Sequence, residues 1–224
     1  MSGETGLRER KKQRMYRTIS ETAISLFLQR GFDEVSVADV AAAAEVSKPT
    51  LFRYFAAKED LALHRFADQE DESARVVRDR TAVEPPLEAL RRHFLDGLER
   101  HDPVTGLNDD AEVLAFHRLL YGTPSLVARL FAYIGRSEDA LARALAEAAP
   151  AEAVPEGTAP GGSGAVGITA RLAAGQIIAV QRILAQENWR RVETGATAWG
   201  AQPDAVAAAD RAFTMLRSGL TPYA

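Results

Sequence analysis

The sequence predicts an all-α protein of two domains, a small N-terminal one with three helices and a helix-turn-helix, followed by a larger helical one. Apolar residues recur at spacings of three and four along the chain, and no segment keeps the strict alternation of a half-buried strand. Within the first 66 residues the helical segments are mostly short and separated by turn signals, whereas beyond residue 80 they become longer and rich in alanine and leucine. A stretch rich in Pro, Gly, Ala and Ser, residues 149–166, interrupts the second region and is expected to be a flexible loop. The expected boundaries are therefore 8–66 for the first domain and 67–224 for the second.

From Arg10 to Arg30 the side chains of Tyr16, Ile19, Ala23, Leu26 and Phe27 form the stripe of an amphipathic helix, and Gly31 stops it. Ser36 suits the N-cap of a short helix through Ala44 that carries Val37, Val40 and Ala41 on one face. Ser47 caps another, through Phe55. Lys58-Glu59-Asp60-Leu61 opens the next, because acids in a first turn complement the positive end of the helix dipole, and Leu61, Leu63 and Phe66 continue its apolar face. After Pro85-Pro86 a stripe of Leu87, Leu90, Phe94 and Leu98 marks the first helix of the second domain. Helices over Asp109–Tyr121, closed by Gly122, over Pro124–Ala148 and over Ile168–Val192 follow; Gly195 and Gly200 loosen the chain before a last helix, Pro203–Leu216.

The 224 residues are 46% hydrophobic and 26% charged, an ordinary globular composition, and no apolar run approaches the roughly 20 residues of a membrane-spanning helix. No membrane partner is expected, and with no apolar run after the basic start to make an export signal the expected location is cytoplasmic. Cysteine is absent, which removes disulfides, thiol nucleophiles and thiolate metal sites together. The net charge is −4, so any attraction to nucleic acid must be local. It is concentrated early: residues 8–17 hold six basic groups and one acid, and all four lysines, Lys11, Lys12, Lys48 and Lys58, fall in the first quarter.

Between Val35 and Leu61 the spacing is that of a helix-turn-helix, two short helices around a tight turn, with Ala41 and Ala42 where the helices must approach closely. The second short helix is the reader. Its first turn shows Lys48, Pro49 and Thr50 to solvent, while Leu51 and Phe55, four apart, point back to the core. From Ser47 to Lys58 there are three basic residues and no acid, and Pro49 costs little because first-turn amides have no intrahelical partner.

Residues 10–66 resemble the DNA-binding domain of the TetR family of transcriptional regulators. The likeness rests on the first helix ending in Gly31-Phe32, on Ser36-Val37-x-x-Val40-Ala41, and above all on Val46-Ser47-x-x-Thr50-Leu51-Phe52-x-Tyr54-Phe55-x-x-Lys58-x-x-Leu61. Beyond residue 66 it rests on length and helical character alone. The resemblance implies a homodimeric, ligand-responsive repressor whose two reading helices enter successive major grooves of a palindromic double-stranded DNA operator until a small-molecule effector binds the second domain. Carried over by position, Lys48, Pro49 and Thr50 face bases, Tyr54 and Lys58 hold phosphates, Ser36 and Ser47 cap the two short helices, with Ser36 also near a phosphate, and Arg53 reaches backbone or base. The basic run from Arg8 to Arg17 is a secondary contact. Two positions depart from the family's pattern: Glu45 stands where glycine is common, and Phe52 replaces a frequent tyrosine, which removes one hydroxyl contact. Alternatives stay open for three of these residues: Thr50 satisfying its own backbone, Tyr54 as a core ring with a wet hydroxyl, and Lys58 as a solvated charge beside Glu59.

For the second domain the resemblance implies a largely apolar effector cavity, with His93, Phe94, Phe116, His117, Tyr121, Tyr133, Arg182 and Trp189 as candidate lining residues and a mainly apolar or aromatic effector. It implies a dimer contact through the helices from Ile168 and Pro203, by faces such as Gly175, Ile178 and Ala208. No catalytic constellation, cofactor motif or metal site stands out: the four histidines lack metal-hydrolase spacing, and Gly161-Gly162-Ser163-Gly164 lacks the ending of a phosphate loop. The competing readings are a helical small-molecule binding protein or enzyme with a vestigial DNA-binding module, an activator, or a binder without strict sequence preference.

Overall fold

The computed structural model describes residues 2–67, 69–149, 166–220 and 223, with no side chain described for 2–9, 65 and 67. The stretch 149–166, expected to be a loop, lies outside the described residues except at its two ends. Among the described residues the chain forms ten α-helices and one short 3₁₀ turn, with no strand, as the apolar spacing requires. It divides into two compact units.

The first unit takes residues 1–68 together with 115–133. Its helices are α1 (Ser2–Arg30), α2 (Val37–Ala43), α3 (Lys48–Tyr54) and α4 (Lys58–Ala67), joined by the later part of α7 (Ala111–Gly122) and the start of α8 (Pro124–Ala148). The stripe read from the sequence is the one buried: Ile19, Ala23 and Phe27 of α1 pack with Val40 and Ala41 of α2, Leu51 of α3, Phe55, and Leu61, Ala62 and Leu63 of α4. Phe116, Leu120, Leu126 and Leu130 of α7 and α8 are buried in the same unit. The Ser20 hydroxyl, itself buried, donates to the Leu61 carbonyl at 2.8 Å and ties α1 to α4.

The second unit takes residues 69–114 and 134–224. It contains α5 (Glu72–Asp79), α6 (Pro86–Glu99), the 3₁₀ turn (Pro103–Thr105), the rest of α8, α9 (Ile168–Glu193) and α10 (Ala198–Gly219). One core joins them, with Leu87, Leu90 and Leu98 of α6, Leu141 and Leu145 of α8, Ile177 of α9, and Ala209 and Phe213 of α10 at its centre. Two features differ from the sequence expectation. Helix α5 was not foreseen, because only Ala74 and Val77 of its eight residues are apolar and fully buried, too few for a visible stripe beside Val76. Helix α10 begins at Ala198 rather than Pro203: the Thr197 hydroxyl caps it by accepting from the Gly200 amide at 3.0 Å, and the Ala198 amide donates to Asp109 Oδ2 at 2.9 Å. Pro203 then sits inside the second turn on the exposed side, where water can serve the carbonyl it leaves without an amide.

Helix α9 also corrects a composition argument. By length and composition it is apolar enough to cross a membrane, with a mean hydropathy of 1.2 over its best 18 residues, of which 33% are buried. That apolarity has two faces. Ala170, Ala173, Ala174, Ile177 and Ile178 are buried in the unit's own core, while Ile168, Leu172 and Ile183 are 66%, 58% and 55% exposed.

Candidate nucleic-acid interface

The helix-turn-helix is assembled by two serine caps. The Ser36 hydroxyl accepts from the Asp39 amide at 3.1 Å, and Asp39 Oδ2 accepts from the Ser36 amide at 2.8 Å and from its hydroxyl at 2.7 Å, a reciprocal box that closes the first turn of α2. These hydrogen bonds hold the Asp39 carboxyl below its ordinary range. At α3 the Ser47 hydroxyl accepts from the Thr50 amide at 3.2 Å and shares a 2.8 Å hydrogen bond with the Thr50 hydroxyl, and Pro49 occupies the first turn, where an amide is dispensable. Leu51 and Phe55 are buried as the spacing demands. Ser47, Lys48, Pro49, Phe52 and Arg53 are exposed, with Thr50 and Tyr54 half-buried. Phe52 is 48% exposed, a large apolar ring on an otherwise polar and basic face.

The turn between the two helices is strained at one residue. Glu45 has φ of +54°, the left-handed region that costs a side-chain-bearing residue about 1–2 kcal/mol. It is exposed, so glycine relieves the backbone without opening a cavity. Glu45→Gly is expected to raise the stability of the protein by about 1 kcal/mol in urea unfolding, whereas Glu45→Ala, which keeps a Cβ, is expected to leave it nearly unchanged.

Two candidate phosphate contacts are turned toward the protein. The Tyr54 ring meets Tyr16 of α1 edge-on at 4.9 Å, inside an aromatic cluster that includes Phe55 and His64, the latter stacked on Tyr16 at 4.9 Å. Lys58 is half-buried; its Nζ donates to the Phe32 carbonyl at 2.5 Å and stands 4.2 Å from the centre of the Phe32 ring. It therefore fixes the start of α4 against the loop after α1. Lys48 and Arg53 have no ion pair among the described residues. On α1, Arg10, Lys11, Lys12, Arg14 and Arg17 are exposed on a helix that continues back to Ser2.

The sequence reading missed the buried ion pair that braces this unit. Asp60, 6% exposed, accepts from the Ala57 amide at 3.1 Å and so helps to cap α4. The same carboxylate takes both arms of Arg129 of α8, at 2.7 and 2.9 Å, and the Tyr133 hydroxyl at 3.1 Å. Arg129 is held more firmly protonated by that hydrogen bond and charge. The acid at the start of α4 was readable as a cap; its partner, 69 residues away, was not. Asp60→Asn is expected to destabilise the protein by about 2 kcal/mol, less than a fully buried pair because the Arg129 side chain is 37% exposed. A double-mutant cycle with Arg129→Met, read by urea unfolding, is expected to return a coupling of at least about 1 kcal/mol.

The eight side chains proposed for an effector cavity are divided between the two units. Phe116, His117, Tyr121 and Tyr133 belong to the first unit, where Phe116 stacks near Phe66 and Tyr133 serves Asp60. His93, Phe94, Arg182 and Trp189 belong to the second. There Phe94 packs near Phe213 in the core, Arg182 donates to Gln186 Oε1, and His93 Nε2 lies 3.1 Å from Glu72 Oε1.

Residues 19–64 match the family described as bacterial regulatory proteins, tetR family. The chain is 35% identical over 136 residues to the HTH-type transcriptional regulator TcmR of Streptomyces glaucescens, a match covering 60% of this chain and 58% of that protein. Among solved structures it is similar to Salmonella enterica GusR, with a TM-score of 0.55 at 16% identity over 93% of this chain and 96% of that one. It is also similar to Pseudomonas aeruginosa NalD, the secondary repressor of the MexAB-OprM multidrug efflux pump, with a TM-score of 0.54 at 18% identity over 90% of this chain and 96% of that one. At these identities the two structural likenesses are likenesses of fold.

Proposed function

We propose that this chain is a transcriptional regulator of the TetR type, as the match of its N-terminal residues supports, and that it is a ligand-responsive repressor that binds a palindromic operator as a homodimer and leaves it when a small molecule binds the second unit. The observation that carries this reading is the outer face of α3. A seven-residue helix with two cationic side chains, no acid, and both Phe52 and Pro49 exposed has no use for that surface inside its own fold, and a major groove accepts such a helix. Lys48 donates to guanine O6 or N7 in this scheme, Pro49 and Phe52 offer apolar contact to thymine methyls, and Arg53 with the basic side chains of α1 neutralises phosphates. The dimer forms through α9 and α10.

The test is binding to DNA flanking its own gene, by fluorescence anisotropy at near-physiological salt. A preference over random DNA above about 10³ is expected, and a smaller ratio supports a binder without strict sequence preference instead. Within that assay Lys48→Ala is expected to cost about 1–3 kcal/mol and to relax base preference at one position of each half-site. An unaltered operator profile would reduce Lys48 to a phosphate neighbour.

A further inference from the structure

Helix α5 has two faces with different chemistry. Ala74 and Val77 are fully buried, whereas Glu72, Arg75, Val76, Asp79 and Arg80, at i, i+3, i+4, i+7 and i+8, line a cleft of about 370 Å³ completed by Arg92 and His93 of α6. The cations of this cleft are unequally satisfied. Arg92 is held by both oxygens of Glu84, at 3.0 and 3.2 Å, with Asp96 at 3.9 Å. Arg80 gives its Nε and Nη1 to neutral acceptors, the carbonyls of Glu84 at 3.0 Å and Val77 at 2.6 Å, and among the described residues it forms no ion pair. Arg75 reaches only Glu72, at 4.0 Å, and that carboxylate is already engaged by His93 Nε2 at 3.1 Å. Two guanidinium groups thus line the cleft without a committed anion.

The carboxylates beside the cleft report the field they sit in. Glu72 titrates below the ordinary carboxylate range, first through its hydrogen bond from His93, with the charges of Arg75 and Arg100 adding to it. Glu84 is lowered as well, by its hydrogen bond from Arg92 and by the charges of Arg92 and Arg80. Those contacts hold the resident carboxylates, and the guanidinium groups left without one match the planar pair of oxygens an oxyanion presents. Val76 is the single aliphatic side chain of the lining, so the body carrying the oxyanion must itself be largely polar.

The geometry points to an oxyanion site in the α5–α6 cleft, which takes the carboxylate or phosphate group of a small polar molecule between Arg75 and Arg80. The site deepens the ligand-responsive reading and rests on it for its regulatory role, while its occupancy is measured without DNA, so the two fail separately. The experiment titrates the full-length protein with glycerol 3-phosphate, with glycerate and with neutral glycerol at constant ionic strength, following the arginine Nε–H resonances by NMR. Saturable shifts at Arg75 and Arg80 with at least one of the two anions, and none with glycerol, are expected; the tighter anion identifies the source as phosphate or carboxylate. Arg75→Gln, which breaks no short contact of the fold, is expected to weaken binding at least about tenfold, and Arg143→Gln, exposed on α8, to leave it unchanged. Failure of both anions to saturate, equal binding of glycerol, or affinity within about twofold of the parent in Arg75→Gln overturns the site.

Discussion

Replacing Leu172 and Ile183 together by glutamate is expected to turn the protein into a monomer at micromolar concentration and to lower operator affinity by at least about a thousandfold, toward the non-specific level. Positions 168, 172, 175, 179 and 183 follow one line along α9, and their side chains are Ile, Leu, Gly, Ala and Ile. Ile168, Leu172 and Ile183 are each more than half exposed, and the neighbouring helix α10 adds Met215, 75% exposed, with Ala212 and Ala208 one and two turns before it. An apolar face of this extent on paired helices needs a cover, and in the proposed homodimer a second copy supplies it with the same face, so that every side chain counts twice. Burial of a leucine or isoleucine contributes about 1.5–3 kcal/mol, and the double substitution removes four such burials per dimer while placing four charges in the contact. Ile178, expected on this contact from the sequence, is only 9% exposed and belongs to the subunit's own core. Sedimentation velocity supplies the mass and anisotropy the affinity. A variant that stays dimeric, or a parent protein that is monomeric throughout, would sink the assignment of this face.

That displacement of Ile178 shows where sequence reading stops. A helix apolar on one face declares its orientation, which is why Ile19, Ala23 and Phe27 of α1 and Leu51 and Phe55 at α3 are buried as their spacing required. A helix apolar on two faces does not, because nothing local separates the stripe that packs inside the subunit from the stripe that packs outside it. Capping was legible for a related reason: Ser36 and Ser47 act within three residues of themselves. Long-range polar partners were not, since an Asp60 that finds Arg129 and a Lys58 that finds the Phe32 carbonyl depend on the assembled unit.

Gly106→Ala is expected to destabilise the second unit by about 3–5 kcal/mol, a large share of the 5–15 kcal/mol that holds a typical domain folded. Gly106 has φ of +71° and ends the 3₁₀ turn where it touches α9. A Cβ built there would stand 1.9 Å from the Ala185 carbonyl oxygen, 2.8 Å from its carbon and 3.1 Å from the Trp189 amide nitrogen. These are backbone atoms inside a helix and cannot swing aside, so the turn must withdraw by more than an ångström. Withdrawal breaks the hydrogen bond from Asn188 Nδ2 to the Thr105 carbonyl, now 2.9 Å, and strands an amide that is only 3% exposed. Loss of that buried bond costs about 1–3 kcal/mol and the left-handed backbone a further 1–2 kcal/mol, with the gap opened beneath the turn added to both. Gly195→Ala separates the terms. Gly195 shares the left-handed backbone, at φ of +108°, but has nothing within 4 Å of a built Cβ, so its alanine variant is expected to lose only about 1 kcal/mol in the same urea titration. Equal losses at the two glycines would show that the turn does not approach α9 this closely.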